Sequence, residues 1–437
     1  MLRVTDRFPA LESRDYRRLF LNTVFASGSR WALMLARGWL VFDLTDSSAA
    51  VGLVTFAGMS PFLFAGPIGG ALADRLDRRR LAIFSAAAGM VFSLVLAGLV
   101  LSGVVQVWHV VALAVIQGTT MALVAPAQQA LLPNLVRSEQ LLSAVALSGI
   151  AMHGSKIVGP LLGGVLLANA GAGYVFLLSA ALLLVSVAAL RSIEWRPERG
   201  AAPPVAGRST PARAIGALAS DVGVGMRHVW GDRRPRLVIG LVVFHCGFTM
   251  AFDSMLPRLA RDVGGGSETY SALLMGIGTG AIVGTAGLAT LRTEAARGPA
   301  LAATGIGSGL AMLVLGTATV PAMAVSGAFL AGLTQATYMA VSQTLLQQIT
   351  PDALRGRVMS LFFMLAAGHM AFINLGFGRL ADDVGVGPLM IVSGLLWIAI
   401  FAAASVSLPD LRHLFRRGSF IADGAVAAPE GPGAAGS

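Results

Sequence analysis

A single cysteine, Cys246, stands in 437 residues, so an internal disulfide and a cysteine-built metal site are both excluded. Charge is scarce too. Asp, Glu, Lys and Arg make up 12% of the chain, against the ~25% usual in soluble domains. Lysine occurs once, as Lys156, and the six histidines are scattered with no His-Glu-x-x-His run to hold a metal. There is no Walker loop for a nucleotide and no Gly-x-Ser-x-Gly elbow for a hydrolase. An ATP-driven machine, a cofactor-dependent protein and an enzyme all lack their residues; no cofactor is expected.

What fills the chain is apolar. Hydrophobic residues reach 55%, mean hydropathy is +0.75 and glycine occurs 53 times. Repeated apolar stretches of ~20 residues each suffice to cross a ~30 Å hydrocarbon core as a helix. Glycine lets such helices pack backbone to backbone. These features specify an all-α polytopic membrane protein. The net charge of +10 does not mark a nucleic-acid binder, because the arginines gather in alternate loops, as membrane topology requires.

Twelve spans are expected, near 18–43, 49–73, 81–103, 106–132, 141–168, 172–190, 237–261, 268–291, 299–319, 321–349, 357–380 and 388–408. They divide the chain into a six-helix bundle over 1–190, a linker over 191–236, a second bundle over 237–410 and a disordered tail over 411–437. Pro203, Pro204 and Pro211 forbid a long helix early in the linker, whereas 213–230 suits a helix lying on the membrane surface. Arg14, Arg17 and Arg18 precede the first span with no small-residue cleavage site after it, so that span is read as uncleaved. With the Arg-rich loops inside, both termini are cytoplasmic.

The halves resemble each other. Leu135–Leu141 aligns with Gln348–Leu354, and Gly58, Gly66 and Gly69 match Gly276, Gly284 and Gly287 at a constant offset. Two six-helix halves enclosing a cavity are a recurrent transporter plan.

The loop from Gly70 to Arg80, Gly-Ala-Leu-Ala-Asp-Arg-Leu-Asp-Arg-Arg-Arg, carries six charges in eleven positions. It resembles the signature loop of the major facilitator superfamily between its second and third helices, with Asp77 where the commonest pattern has Gly. Asp-Arg-Arg-Arg is similar to the bacterial branch of macrolide and enterobactin exporters. So are Trp39–Thr45 and Pro126–Pro133. Gly159-Pro160-Leu-Leu-Gly163-Gly164 looks like the exporter and antiporter signature of the fifth helix. The similarity covers roughly residues 8–410.

It implies a secondary active exporter of small amphipathic molecules (drug, antibiotic or siderophore-like). Such a protein works by alternating access, driven by proton antiport, as a monomer in the bilayer of the inner membrane. Many proton-coupled drug exporters carry an Arg three residues before Gln-Gly in the fourth helix; here Gln117-Gly118 is preceded by Ala114. An importer or lysolipid flippase on the same fold, or a non-transporting sensor, is the competing reading. The Gly159-Pro160 signature argues against import, and the lack of a larger soluble domain argues against a sensor.

Within this resemblance Asp74 is the gate residue, with Gly70, Arg75, Arg78 and Arg79 as its setting; the alternative is a solvated topology determinant. By the glycine alignment Asp74 has no acid at the same position in the second half. Intramembrane charges are functional candidates by default, which singles out Arg30, Arg37, Lys156, Asp253, His245 and His369. The repeat sets Asp253 near the depth of Arg37 and suggests that they pair. Structural ion pairing is the plainer reading of such groups. Gln117, Gln335, Tyr338 and Ser342 are the substrate-cavity candidates, although interhelical hydrogen bonds would use the same residues. Gly159, Pro160, Gly163 and Gly164 are assigned to helix packing. Buried cations outnumber Asp253, which leans the cavity toward neutral or anionic amphiphiles. Asp74→Asn is expected to cut transport while leaving membrane level intact; unchanged transport rates in vesicles with matched protein would remove Asp74 from the gate.

Overall fold

A computed structural model describes residues 9–63, 76–194, 223–289, 293 and 296–417. The described residues form helices and no strand. In chain order these are α1 (Arg14–Thr45), α2 (Ser48–Met59), α3 (Arg78–Leu101), α4 (Val107–Leu131), α5 (Leu141–Ala170), α6 (Ala172–Ser192), α7 (Arg233–His245), α8 (Leu256–Asp262), α9 (Ser267–Ala289), α10 (Arg297–Gly316), α11 (Pro321–Ile349), α12 (Asp352–Val384), α13 (Val386–Ser407) and α14 (Pro409–Arg417). A further short helix runs over 223–231. Gly70, Asp74 and Arg75 lie outside the described residues, as does most of the expected linker.

The helix ends follow local chemistry. Ser13 and Ser47 cap α1 and α2 by accepting the Tyr16 and Ala50 N–H groups, as short hydroxyl side chains do best. Asp77 does the same for α3, its carboxylate taking the Arg79 N–H at 2.8 Å and the Arg80 N–H at 3.3 Å. That is the position where the signature loop departs from Gly, and the acid there starts the third span. Gly171 and Gly385, at φ +90° and +87°, make the matching tight junctions between α5 and α6 and between α12 and α13.

Among the described residues nine helices are long and apolar enough to cross a membrane. The other three expected spans are present as helix but differ for physical reasons. The first, α1, carries Arg30 and Arg37 at depth and a cluster of charges at its start. The second is described only as far as residue 63. The seventh is interrupted between His245 and Leu256. The tail also differs from expectation: α14 continues to Arg417, because Leu411 and Leu414 are buried against the second set of helices.

Helices α1 and α3–α6 pack mainly within the first set and α7–α11 and α13 within the second, whereas α2 and α12 pack mainly on each other. Two seams join the sets, α2 against α12 and α5 against α9. Every backbone N–H and C=O in lipid must be paired within a helix, so association depends on close van der Waals contact and small residues. Between α9 and α11 the approach is extreme. A methyl group at Gly280 would strike the Phe329 carbonyl oxygen, and one at Gly332 the carbonyl of Ile277. Gly280→Leu is therefore expected to cost about 1–3 kcal/mol through overpacking, read as a lowered unfolding midpoint of the detergent-purified protein; an unmoved midpoint would contradict this packing.

Candidate functional site

The seventh span is broken in mid-membrane. Helix α7 ends at His245, one π turn runs over Cys246–Met250, and the chain leaves helical geometry at Ala251 (φ −84°, ψ 49°) before α8 begins at Leu256. Pro257 contributes to the break. It has no N–H to give the Asp253 carbonyl and its ring crowds that position, so it favours the start of a new helix, where it stands in the first turn of α8. The freed backbone finds side-chain partners. Asn374 of α12 takes the Ser254 N–H on Oδ1 at 3.1 Å, and its own carbonyl accepts the Ser254 hydroxyl at 3.0 Å. Gln335 of α11 donates from Nε2 to the Thr249 carbonyl at 2.5 Å.

This corrects the cavity assignment. Gln335, Tyr338 and Ser342 are 4%, 1% and 2% exposed, inside the packed second half. Tyr338 stacks on His245 at 4.1 Å between ring centroids, and Trp397 meets His245 edge-on at 5.1 Å. His245 Nε2 lies 3.0 Å from the Ser308 hydroxyl. His369 stands against Gly247 of the π turn. These residues make a solid aromatic core.

Asp253 sits in the break. It interacts electrostatically with Lys156 of α5 across the α5–α9 seam, and with Tyr270 of α9. The expected pairing with Arg37 is not made. Arg37 instead donates from Nη1 to Gln117 Oε1 at 3.1 Å, and its Nε is buried without a hydrogen-bond partner. Lys156 Nζ lies 5.2 Å from the centre of the Trp31 ring, so the lysine touches α1 as well. The break turns Asp253 toward the lysine, which an unbroken helix register did not suggest.

The glycine motif of α5 serves both neighbours. A Cβ at Gly159 would meet Trp31 Cβ at 2.7 Å, and one at Gly163 would meet Ala32 and Leu35, which brings α5 onto α1. On the other side the Pro160 carbonyl accepts the Ser271 hydroxyl of α9 at 2.6 Å, and Gly164 makes room for Ser271.

At the end of the bundle away from the chain termini lies a latch that sequence reading missed. The Asp382 carboxylate of α12 accepts the Ser47 hydroxyl (2.6 Å) and the N–H groups of Ser48 (2.7 Å) and Ala49 (3.0 Å) at the start of α2. A carboxylate on a helix N-terminus meets both unpaired donors and the positive end of the dipole. Arg258 adds an ion pair to Asp382 at 3.6 Å. Beside it Arg261 reaches Asp46 at 2.6 Å and Asp43 at 3.7 Å and covers the Phe42 ring. These last pairs are exposed and contribute little individually. Asp382 is the shielded member, at 16% exposure. Beneath it Gly52 admits the Asn374 carbonyl, 2.7 Å from where its Cβ would be.

At the terminal end Arg79 does not hang free in the loop. Its Nε donates to the Leu190 carbonyl at 3.0 Å and its Nη2 to that of Arg191, so it closes the C-terminus of α6. Arg78 is the first residue of α3. Between α1, α3, α4 and α5 a cavity of about 650 Å³ runs from Leu132, Pro133 and Leu141 at that end to Leu33 and Gln117 at depth. Arg30 and Gln117 are on its wall.

A broken span, a deep acid and a lysine that interact electrostatically across the halves, a latched seam at one end and a cavity toward the other are the parts of a transporter. Residues 5–419 match the family model described as transmembrane secretion effector. The chain belongs to that family. Transmembrane secretion effectors of this kind are major facilitator superfamily transporters of the exporter type, not enzymes. Relatives include the multidrug efflux pump Tap of Mycolicibacterium fortuitum, 26% identical over 87% of this chain and 92% of the relative. Another is the enterobactin exporter EntS of Citrobacter koseri, 27% identical over 94% and 95%. The solved D-xylose–proton symporter superposes with a TM-score of 0.69 at 15% identity, covering 91% of this chain and 98% of that one, and the nucleoside transporter NupG with 0.68 at 12%, covering 89% and 99%. At such identity these two speak for the fold alone.

Asp382→Ala removes three charge-assisted hydrogen bonds from the latch of this secretion effector. At about 1.5–3 kcal/mol for such bonds, it is expected to shift the population toward a parted α2–α12 seam by about tenfold or more. Spin labels on Leu44→Cys and Val384→Cys in a Cys246→Ser background read the separation; an unchanged distance distribution would show that Asp382 does not hold the seam.

Proposed function

We propose that this protein exports small amphipathic molecules across the bacterial inner membrane by alternating access, with proton entry at Asp253 as the drive. The observation that carries the reading is the pairing of a latched seam at one end with a cavity reaching the other. The Arg-bearing loops lie at the terminal end, so the positive-inside rule puts that end, and both termini, in the cytoplasm. The described conformation then loads from the cytoplasm while Asp382, Arg258 and Arg261 hold the outer side shut. Its relatives include a multidrug efflux pump and a siderophore exporter, which agrees with outward transport.

Asp253 is the carboxylate set deepest in the described spans. Together with Lys156 it bridges the two halves, so its pairing must change when the α5–α9 seam moves. Protonation releases Lys156, and deprotonation restores the pair. Asp74, in the signature loop, acts in the opposite state by closing the cytoplasmic side. The working unit is one chain, divided into six-helix bundles over 1–190 and 237–410.

Everted membrane vesicles test this. Energised uptake of an amphipathic antibiotic, siderophore or lysolipid, abolished by an uncoupler, is the expected result. Asp253→Asn is expected to lower accumulation by about tenfold or more, since stranding Lys156 costs several kcal/mol, while uncoupler-insensitive exchange continues. No energised uptake of any compound would overturn export. Full accumulation by Asp253→Asn would remove this carboxylate from coupling.

A further inference from the structure

Every described residue lining the 650 Å³ cavity comes from α1 to α6 or their connections, so the hollow lies within the first half. At the corresponding place in the second half the described side chains are packed, with His245, Tyr338 and Trp397 fully buried. Gln117 and Gln335 stand 218 residues apart at equivalent points of α4 and α11, and the same offset relates Ser27 to His245 and Thr120 to Tyr338. The twin junction glycines Gly171 and Gly385, 214 residues apart, relate Leu183 of α6 to Trp397 of α13. His245, Tyr338 and Trp397 are the rings that fill the second half, with centroids 4.1–5.8 Å apart. Ser27, Thr120 and Leu183 are on the cavity wall. Three small or aliphatic side chains therefore stand where three ring systems plug the other half. The hollow is written into the sequence.

Its charge is one-sided. Arg30 is the sole charged residue among the described lining. It lies sixteen residues into α1, ~24 Å along the helix, and among the described residues it has neither a hydrogen bond nor an ion pair. Arg37 engages the Gln117 amide oxygen, and the Gln117 NH₂ is left to donate into the cavity. Arg30 and the Gln117 amide are donors on this wall, and the cation calls for an acceptor of negative charge; the Thr120 hydroxyl, which donates to the Ile116 carbonyl, offers only a neutral oxygen. Phe92 and Met121 give the same wall an apolar face.

We propose that this cavity binds an acidic amphiphile, its carboxylate or phosphate on Arg30 and the Gln117 amide and its apolar body along Phe92 and Met121. The proposal names the substrate class of the export reading and rests on it.

The purified full-length protein in phosphatidylcholine nanodiscs is titrated with 11-(dansylamino)undecanoic acid and with its carboxamide. The acid is expected to bind at least about tenfold tighter than the amide, as a charge-assisted contact implies. In Arg30→Gln that ratio falls to within about twofold, and Arg30→Lys restores part of it. Thr120→Tyr, which places in the first half the side chain that fills the second, abolishes binding of both probes. Equal binding of acid and amide by the unaltered protein, or an acid preference that survives Arg30→Gln, overturns the proposal. Displacement of the acid when phosphatidylglycerol enters the nanodiscs assigns the site to a lipid headgroup and overturns it as a substrate site. Uptake of the same acid by everted vesicles separates the two readings. Arg30-dependent binding without energised uptake keeps the acid site and removes export. Energised uptake indifferent to Arg30→Gln keeps export and overturns the acid site.

Discussion

The bundle depends on one requirement: no backbone N–H or C=O is left unpaired in apolar surroundings. Unbroken helices meet it within themselves, and glycines then let them close on one another. The seventh span does not meet it alone, and the groups that compensate sit at the centre of the machine. Asn374 is the pivotal one. Its side chain takes the Ser254 N–H, its carbonyl takes the Ser254 hydroxyl, and that same carbonyl presses into the notch left by Gly52. One buried residue of α12 thus joins the broken span to the seam that Asp382 latches. Parting α2 from α12 must disturb Asn374, and so must disturb the backbone that holds Asp253. That is a physical route from the Asp382 latch to the intramembrane acid without any remote signal.

Much of this was legible in the sequence, and what escaped has identifiable causes. Hydropathy located the spans because it needs only local composition. The Gly70–Arg80 loop and the Gly159–Gly164 motif pointed to the family because they are contiguous. The break in the seventh span had only a partial local signal: Pro257, four residues after Asp253, removes one helical hydrogen bond, but Pro126 and Pro160 do the same inside unbroken α4 and α5. The latch had none. Ser47 and Asp382 are separated by almost the whole fold, and an acid at a helix end reads as a loop charge until the facing helix start is known. Arg79 escaped for the same reason, since its partners are carbonyls of α6. Side-chain identity says nothing about backbone acceptors.

The misassigned residues teach a related point. Gln335 and Gln117 occupy equivalent places but serve different ends. Gln335 repairs the backbone at Thr249, while Gln117 holds Arg37 and faces the cavity. The repeat predicts location well and role poorly, because roles depend on what the opposite helix presents. An intact α1 has no broken carbonyl to satisfy, so Gln117 of α4 is released for other work.

The same divergence orders the buried charges. Three cations, Arg30, Arg37 and Lys156, share the interior with one deep acid. Lys156 has Asp253 and the face of Trp31, and Arg37 has Gln117. Burial of a charge is tolerated when a partner is built in, or when the site is open to something that supplies one. The first two cations follow the former rule and bind helices together. Arg30 follows the latter, on the wall of a hollow that serine, threonine and leucine keep open. The aromatic plug makes the second half stiff, and its broken span carries the acid. The first half keeps the open volume. On the proposed reading, with Asp253 as the proton site and the hollow as the substrate site, a division between one half that drives and one half that holds follows from where the bulky side chains are.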